Sequence, residues 1–416
     1  MIELINQPSQ KAQFNLKGLT VLSLFDGMSC GQQALKRAGI GVSEYYASEI
    51  DKHAIAVTMH NYPNTKQLGS VVNVDGYSLP KIDLLIGGSP CQSFSFAGKR
   101  KGMSTKDSQE ILTLNHYLQL KAEGFEFEGQ SYLFWEYMRL LNECKPTYFL
   151  LENVLMGEKW EKVLSRAIGV NPIEINSALV SAQNRKRLYW TNIGMQPSGL
   201  FGDLESIIKQ PKDKGILLKD ILEIEVHKKY FLSEKTVAKI TRTNNGERCF
   251  TTADKALCLA AGYHKQGRDN QYIVASRGRN PENPKSRKSG LETEQQNRVY
   301  DANGISPALC AYKSDLLITG LNENQQKKFN TNINSDKANT LTLAQGRMGS
   351  SNEYMDSVSK IANITSVIRR LTPIECERLQ TVADNYTSVV SDTQRYRMLG
   401  NGWTVDVIAH IFSYLK

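Results

Sequence analysis

The chemistry of this chain is concentrated in Gly88-Ser89-Pro90-Cys91-Gln92-Ser93. The apolar run before it, Ile82-Asp83-Leu84-Leu85-Ile86, reads as a buried parallel strand ending at Gly87. An open α/β sheet gathers its chemistry just past the carboxyl ends of its strands. A cysteine on a proline-fixed turn there is placed to act as a nucleophile, since its thiolate attacks well and also leaves well. Most single cysteines at such turns are only small buried residues, so the reading of Cys91 depends on its company. Three carboxylates share its kind of position: Glu49, Asp75 and Glu152. A carboxylate at a strand end can accept hydrogen bonds from ribose hydroxyls, which suits Glu49, and Asp75 is placed to hold an adenine amino group. Phe25-Asp26-Gly27-Met28-Ser29-Cys30-Gly31 is a Gly-containing turn between a strand and a helix. It lacks the full dinucleotide fingerprint, which suits a nucleoside without pyrophosphate. Gln183-Asn184-Arg185-Lys186-Arg187 leads into Leu188-Tyr189-Trp190, and as a strand it would put Gln183, Arg185 and Arg187 on one face. Those arginines suit a pyrimidine carbonyl oxygen while a carboxyl group engages the ring nitrogen and amino group. Phosphate contact or a surface ion pair is their other use.

The elements that must position these groups alternate through the first half. Strands are expected at 20–25, 45–50, 82–86 and 148–151, and helices at 32–38, 52–60 and 132–143. That rhythm predicts an α/β fold with a doubly wound, mostly parallel sheet. After about residue 193 it stops, and helical patterns return from Val367. The intervening 195–365 is basic, most densely at Lys265, Arg268, Arg277, Arg279, Lys285, Arg287 and Lys288. Three apolar echoes, beginning at Ala256, Pro307 and Ala338, read as short strands of a mostly β module. The whole chain has 416 residues and a net charge of +9, which favours a polyanionic partner without proving one. No run approaches the ~18 apolar residues of a membrane span. There is no secretory pattern at the N-terminus. Seven scattered cysteines, with no Cys-x-x-Cys pair, argue for a reducing compartment and against a structural metal.

Taken in order, these pieces resemble the DNA cytosine-5 methyltransferase family. The matching residues are Phe25-x-Gly27, Glu49, Asp75, Ser89-Pro90-Cys91-Gln92, Glu152-Asn153-Val154 and Gln183-x-Arg185-x-Arg187. Further on they are Arg370-Leu371-Thr372-Pro373-x-Glu375-x-x-Arg378-Leu379-Gln380 and Gly400-Asn401-Gly402-Trp403-Thr404-Val405. The resemblance implies a class I S-adenosylmethionine-dependent methyltransferase fold with an inserted target-recognition domain. The division it implies is a catalytic, donor-binding domain at 18–193, a recognition domain at 195–365, and a C-terminal segment at 367–416 that completes the catalytic domain. It implies that Cys91 adds to carbon 6 of a flipped cytosine in double-stranded DNA, so that carbon 5 can take the methyl group. Glu152 would engage ring nitrogen 3 and the amino group, Arg187 the carbonyl oxygen, and Arg185 would lie beside Cys91. The donor, S-adenosylmethionine, would be held by Phe25, Gly27, Glu49, Asp75 and Asn401, with the last helix, 405–415, beside the first strand.

Expected DNA contacts are Gln92 and Ser93 beside the nucleophile, and Lys99 and Arg100 in a loop that closes over the flipped base. Arg277, Arg279, Lys285, Arg287 and Lys288 are expected to contact DNA from the insert. The resemblance further implies a monomer without metal, in the cytoplasm of a prokaryotic or phage-infected cell, with any cognate restriction endonuclease acting separately. Cys249-Phe250-Thr251 matches a short signature of the tRNA cytosine-5 methyltransferases of the same fold, which is the alternative enzyme reading. A catalytically inactive DNA-binding regulator is the alternative of another class, and transfer of a modified group is a third. There are three departures from the family pattern. Ser29-Cys30-Gly31 follows Met28 where the family usually closes the first motif with two glycines, Gly402 replaces a serine, and the segment 104–130 is longer than expected.

Overall fold

The computed structural model describes residues 18–90, 103–198, 203–224, 226–233, 249–250, 255–265, 272–276, 298–299 and 366–415. The chain divides into two compact units. One comprises 1–216, 258–264 and 377–416, the other 217–257 and 265–376.

The first unit is built on a seven-stranded sheet of order β3-β2-β1-β4-β5-β7-β6. Its strands are β1 (Leu19–Leu24), β2 (Val42–Ser48), β3 (Lys66–Gln67), β4 (Leu84–Gly88), β5 (Tyr148–Val154), β6 (Ile173–Asn176) and β7 (Lys186–Thr191). The first five pair in parallel, while β7 runs antiparallel to both β5 and β6. Strand order reverses between β1 and β4, so this is a doubly wound sheet with its switch point beside both strand ends. The continuous apolar runs of β1 and β4 suit strands covered on both faces. Leu22, Leu24, Leu85, Trp135, Tyr137, Leu151 and Trp190 are all buried in the resulting core.

Local signals set the helices. In α1 (Cys30–Arg37) the basic Lys36 and Arg37 fall in the last turn. The side chain of Asp51 caps α2 (Lys52–Asn61) by accepting from His53 N, and α2 stops before Pro63. In the long segment after Cys91, 103–130 contains α3 (Leu114–Ala122) and two bridges, Ser104–Glu110 and Thr105–Phe127. It packs onto α4 (Phe134–Cys144). Tyr117 Oη and Lys121 Nζ both reach the buried Glu136, which also holds Arg139. Helix α5 (Glu158–Ile168) carries acids in its first turn and ends at Gly169, whose φ is 90°. The first unit also holds the hairpin β8 (Met195–Ser198) and β9 (Asp203–Ser206).

The second unit contains β10 (Cys249–Phe250), β11 (Tyr272–Ser276), β12 (Arg298–Val299) and β13 (Ser366–Arg369). β11 pairs in parallel with β10 and antiparallel with β12 and β13. The motif at Thr372-Pro373-Ile374-Glu375 is a capping box for α6 (Pro373–Leu379). Thr372 N donates to Glu375 Oε2, and Glu375 N donates to Thr372 Oγ1. Glu375 also forms a fully buried two-pronged pair with Arg369.

The first unit closes with α7 (Asp392–Asn401) and α8 (Val405–Phe412). Helix α8 packs against α1, the helix after the first strand, where the sequence suggested the strand itself. Arg37 Nη1 pairs there with Asp406. Ala256–Ala260, expected as a strand, holds only an isolated bridge at Ala256, and the other two apolar echoes lie outside the described residues.

Candidate active site

Phe25, Gly27 and Ser29 all have left-handed backbone, with φ of 56°, 58° and 60°. Only Gly27 adopts this at no steric cost, and a Cβ there would meet nothing within 4 Å. The position is therefore both left-handed and open, as a surface for a ligand should be. Ser29 keeps the backbone that glycine would favour. Its hydroxyl donates to Asp26, which also accepts from Tyr45 Oη at 2.8 Å. Burial pushes the Asp26 carboxyl up to about 6, although the hydrogen bonds from Ser29 and Tyr45 pull it down.

Glu49 directly follows β2. Its Oε2 accepts from Gly27 N at 2.8 Å, and its Oε1 accepts from Ile50 N at 2.7 Å and Asp51 N at 2.9 Å. The carboxylate thus ties the glycine turn to the end of the second strand. Ile50 beside it is 71% exposed. Asp75 is exposed and its Oδ1 accepts from Tyr77 N, while Gly76 N donates to Glu143 of α4. Asn401 is the last residue of α7 and is exposed.

On the other side of the switch point, β5 and β7 bring Glu152 and Arg187 together. Because β7 is antiparallel, its first residues lie at the carboxyl end of β5, where Val154 pairs with Arg187. Arg187 Nε reaches Glu152 Oε1 at 3.0 Å. Trp403 Nε1 donates to Glu152 Oε2 at 3.1 Å. Next to Glu152, Asn153 Nδ2 donates to the carbonyl and hydroxyl of Ser89, at 3.3 and 3.1 Å. The turn that leads to Cys91 is therefore fastened to the strand that carries Glu152.

Arg185 and Gln183 lie before β7 begins, so the expected shared face of one strand does not arise. Both side chains instead become ties within the unit. Arg185 donates to Gly402 O at 2.9 Å, to Gly400 O, and to Leu259 O at 3.2 Å. Gln183 accepts from Leu259 N at 2.7 Å and donates to Leu379 O at 3.2 Å. Arg185 Nη1 and Arg187 Nη2 converge on Cys258 Sγ at 3.2 and 3.7 Å. Burial works to raise the Cys258 thiol, but the two guanidinium groups outweigh it and the net shift is downward.

Cys91, Gln92, Ser93, Lys99, Arg100, Arg277, Arg279, Lys285, Arg287 and Lys288 lie outside the described residues. Sequence reasoning did not single out Trp403, Cys258 or Ile50. Trp403 was named only as part of the C-terminal motif and given no role, and for Ile50 the signal was an apolar residue directly following Glu49. Cys258 was hidden in an apolar run that reads as a strand. Among the described residues no group of His, Cys, Asp and Glu is arranged for a metal, and no helix is long and apolar enough to cross a membrane.

A mostly parallel seven-stranded sheet, with a glycine turn after β1 and an acid after β2, has the fold of the class I, S-adenosylmethionine-dependent methyltransferases. It is shared with a mutant of Spodoptera frugiperda DNMT2, at a TM-score of 0.55 and 19% identity over 95% of this chain and 99% of that one. The Entamoeba histolytica methyltransferase EhMeth has the same fold, at a TM-score of 0.57 and 13% identity over 96% and 98%. Within that class, the chain belongs to the C-5 cytosine-specific DNA methylase family, whose model matches residues 19–168 and 176–416. It is similar to the orphan methyltransferase M.SPRI of Bacillus phage SPR, 27% identical over 95% of this chain and 97% of that protein. It is also similar to the putative type II methyltransferase M.BsuMIIP of Bacillus subtilis, 24% identical over 95% and 97%.

Proposed function

We propose that this protein is a DNA cytosine-5 methyltransferase acting on a cytosine flipped out of duplex DNA. The observation that carries the reading is Glu152, held by Arg187 and Trp403 and joined through Asn153 to Ser89, two residues before Cys91 in the sequence. Cys91 is the nucleophile at carbon 6. Glu152 accepts from the amino group and delivers a proton to ring nitrogen 3, which neutralises the charge that arrives with the thiolate. Arg187 serves the carbonyl oxygen at carbon 2. Arg185, with its donors on three carbonyls, orders the walls of the site. Flipping costs a few kcal/mol, repaid by contacts to the extruded base.

The residues around Gly27 fit S-adenosylmethionine. The open left-handed glycine leaves room for the donor beside β1, Glu49 suits the ribose, and the exposed Ile50 offers an apolar surface near it. Asp75 and Asn401 complete the proposed donor set. The bound donor supplies an electrophilic methyl group on a sulfonium. The segment 195–365 is the proposed target-recognition domain, with Arg277, Arg279, Lys285, Arg287 and Lys288 on phosphates or bases. Gln92, Ser93, Lys99 and Arg100 act nearer the flipped base. The protein works as a monomer, and any cognate restriction endonuclease is a separate protein.

Bisulfite sequencing of DNA from cells expressing the protein tests this reading, because it reports activity and target together. Conversion-resistant cytosines in one sequence context are expected. A duplex with 5-fluorocytosine at that site should trap the protein covalently, and Cys91→Ser should abolish both trapping and transfer. Methylation of tRNA but not duplex DNA by the purified protein would replace the substrate assignment.

A further inference from the structure

The indole of Trp403 and the guanidinium of Arg187 each take one oxygen of Glu152, which fixes the plane of the carboxylate. The surroundings are shaped to allow this. A Cβ on Gly88 would come within 2.9 Å of Trp403 Nε1 and 3.0 Å of Glu152 Oε2. Glycine at the end of β4 is therefore what lets the indole reach the carboxylate. The main chain of Trp403 is also anchored. Arg185 holds the preceding carbonyl of Gly402, and the Thr404 hydroxyl joins Ser177 and Gln380.

We propose that Trp403 is a positioning residue for the cytosine-5 reaction, its indole N–H setting the orientation in which Glu152 meets ring nitrogen 3 and the amino group of the flipped base. The proposal rests on the role given to Glu152 above. A carboxyl group rotated out of the base plane loses its hydrogen bonds to the ring as the charge from the thiolate arrives. That loss falls in the transition state, so it lowers kcat and leaves KM in place.

The test is single-turnover transfer of a labelled methyl group from S-adenosylmethionine to duplex DNA by the full chain. Two replacements at Trp403 are compared. Trp403→Phe removes the N–H and part of the ring system. 3-Benzothienylalanine at the same position replaces the N–H by sulfur at nearly constant shape. Both should lower kcat about tenfold or more, with KM for DNA and Kd for the donor within about twofold of wild type. A benzothienylalanine protein as fast as wild type overturns the proposal, whether or not Trp403→Phe is impaired, because only shape would then matter. A fall confined to donor or DNA affinity overturns it as well. Failure of the wild type to methylate any duplex refutes the functional reading itself, and is seen before the variants are compared.

Discussion

Asp26 should make the catalytic unit less stable as pH rises from about 4 to 7. Its carboxyl is buried, and burial favours the neutral form enough to raise it from 3.8 to about 6. Between those values the folded chain keeps a proton that the unfolded chain has lost. The stabilisation from that proton is complete below about 4 and disappears as pH climbs through 6. A rise of about 2 pKa units corresponds to about 3 kcal/mol, the penalty carried at neutral pH. Asp26→Asn removes the ionisation and keeps both partners, with the bond to Ser29 reversed in direction. The amide oxygen can accept from Tyr45 Oη, and the amide nitrogen can donate to Ser29 Oγ, which already accepts from Gln32 Nε2 and has a second lone pair. The variant should match wild type near pH 4 and exceed it by up to about 3 kcal/mol at pH 7.5. For a unit of this size that is a rise of about 6–12 °C in Tm. Thermal unfolding of both proteins, followed at intervals from pH 4.5 to 8, measures the difference. A gap that stays constant across this range would refute the burial argument, since only a titrating group makes it grow.

Other consequences follow from the same geometry. Glu49→Ala should weaken S-adenosylmethionine binding by about 1.5–3 kcal/mol in calorimetry while sparing DNA affinity, because a charged hydrogen-bond acceptor is lost from the donor side alone. Unchanged donor affinity would reject that role. Gly402→Ser should destabilise by about 1–3 kcal/mol, since a Cβ there would lie 3.1 Å from the main-chain oxygen of Met398 and 2.9 Å from Met28 Cε. The cost should shrink in a Met28→Ala background, and a strictly additive double-mutant cycle would show that the Met28 side chain has no part in it. Neutralising Lys285, Arg287 and Lys288 together should weaken binding to every duplex and flatten its salt dependence without changing the methylated sequence. A changed site preference would make them base readers instead.

Much of the catalytic unit was legible because its signals are local. Apolar runs marked β1, β4 and β5 to within a few residues, and acids or glycines at their ends marked the reactive edge of the sheet. The arginines were less legible. Alternation through 183–187 suggested one strand face, yet β7 begins at Lys186, and Arg185 reaches the Arg187 side only because both meet Cys258. The insert offered charge and weak apolar echoes, and the one described echo is no strand, because its Leu259 main chain bonds to Gln183 and Arg185.

By itself, the order of residues determined the parallel sheet, the glycine turn after its first strand, and the inventory of thiol, carboxylate and guanidinium groups. These follow from short-range rules of burial, turn geometry and side-chain chemistry. Only the tertiary structure decided which of those groups share a site. Glu152 and Trp403 are 251 positions apart, and Ser177 and Thr404 are 227 apart. Such pairs meet because the C-terminal segment returns to the sheet and lays Gly402 against Met28 and Cys30. No local pattern encodes that contact. It comes from packing, which selects an arrangement in which these distant polar groups find one another.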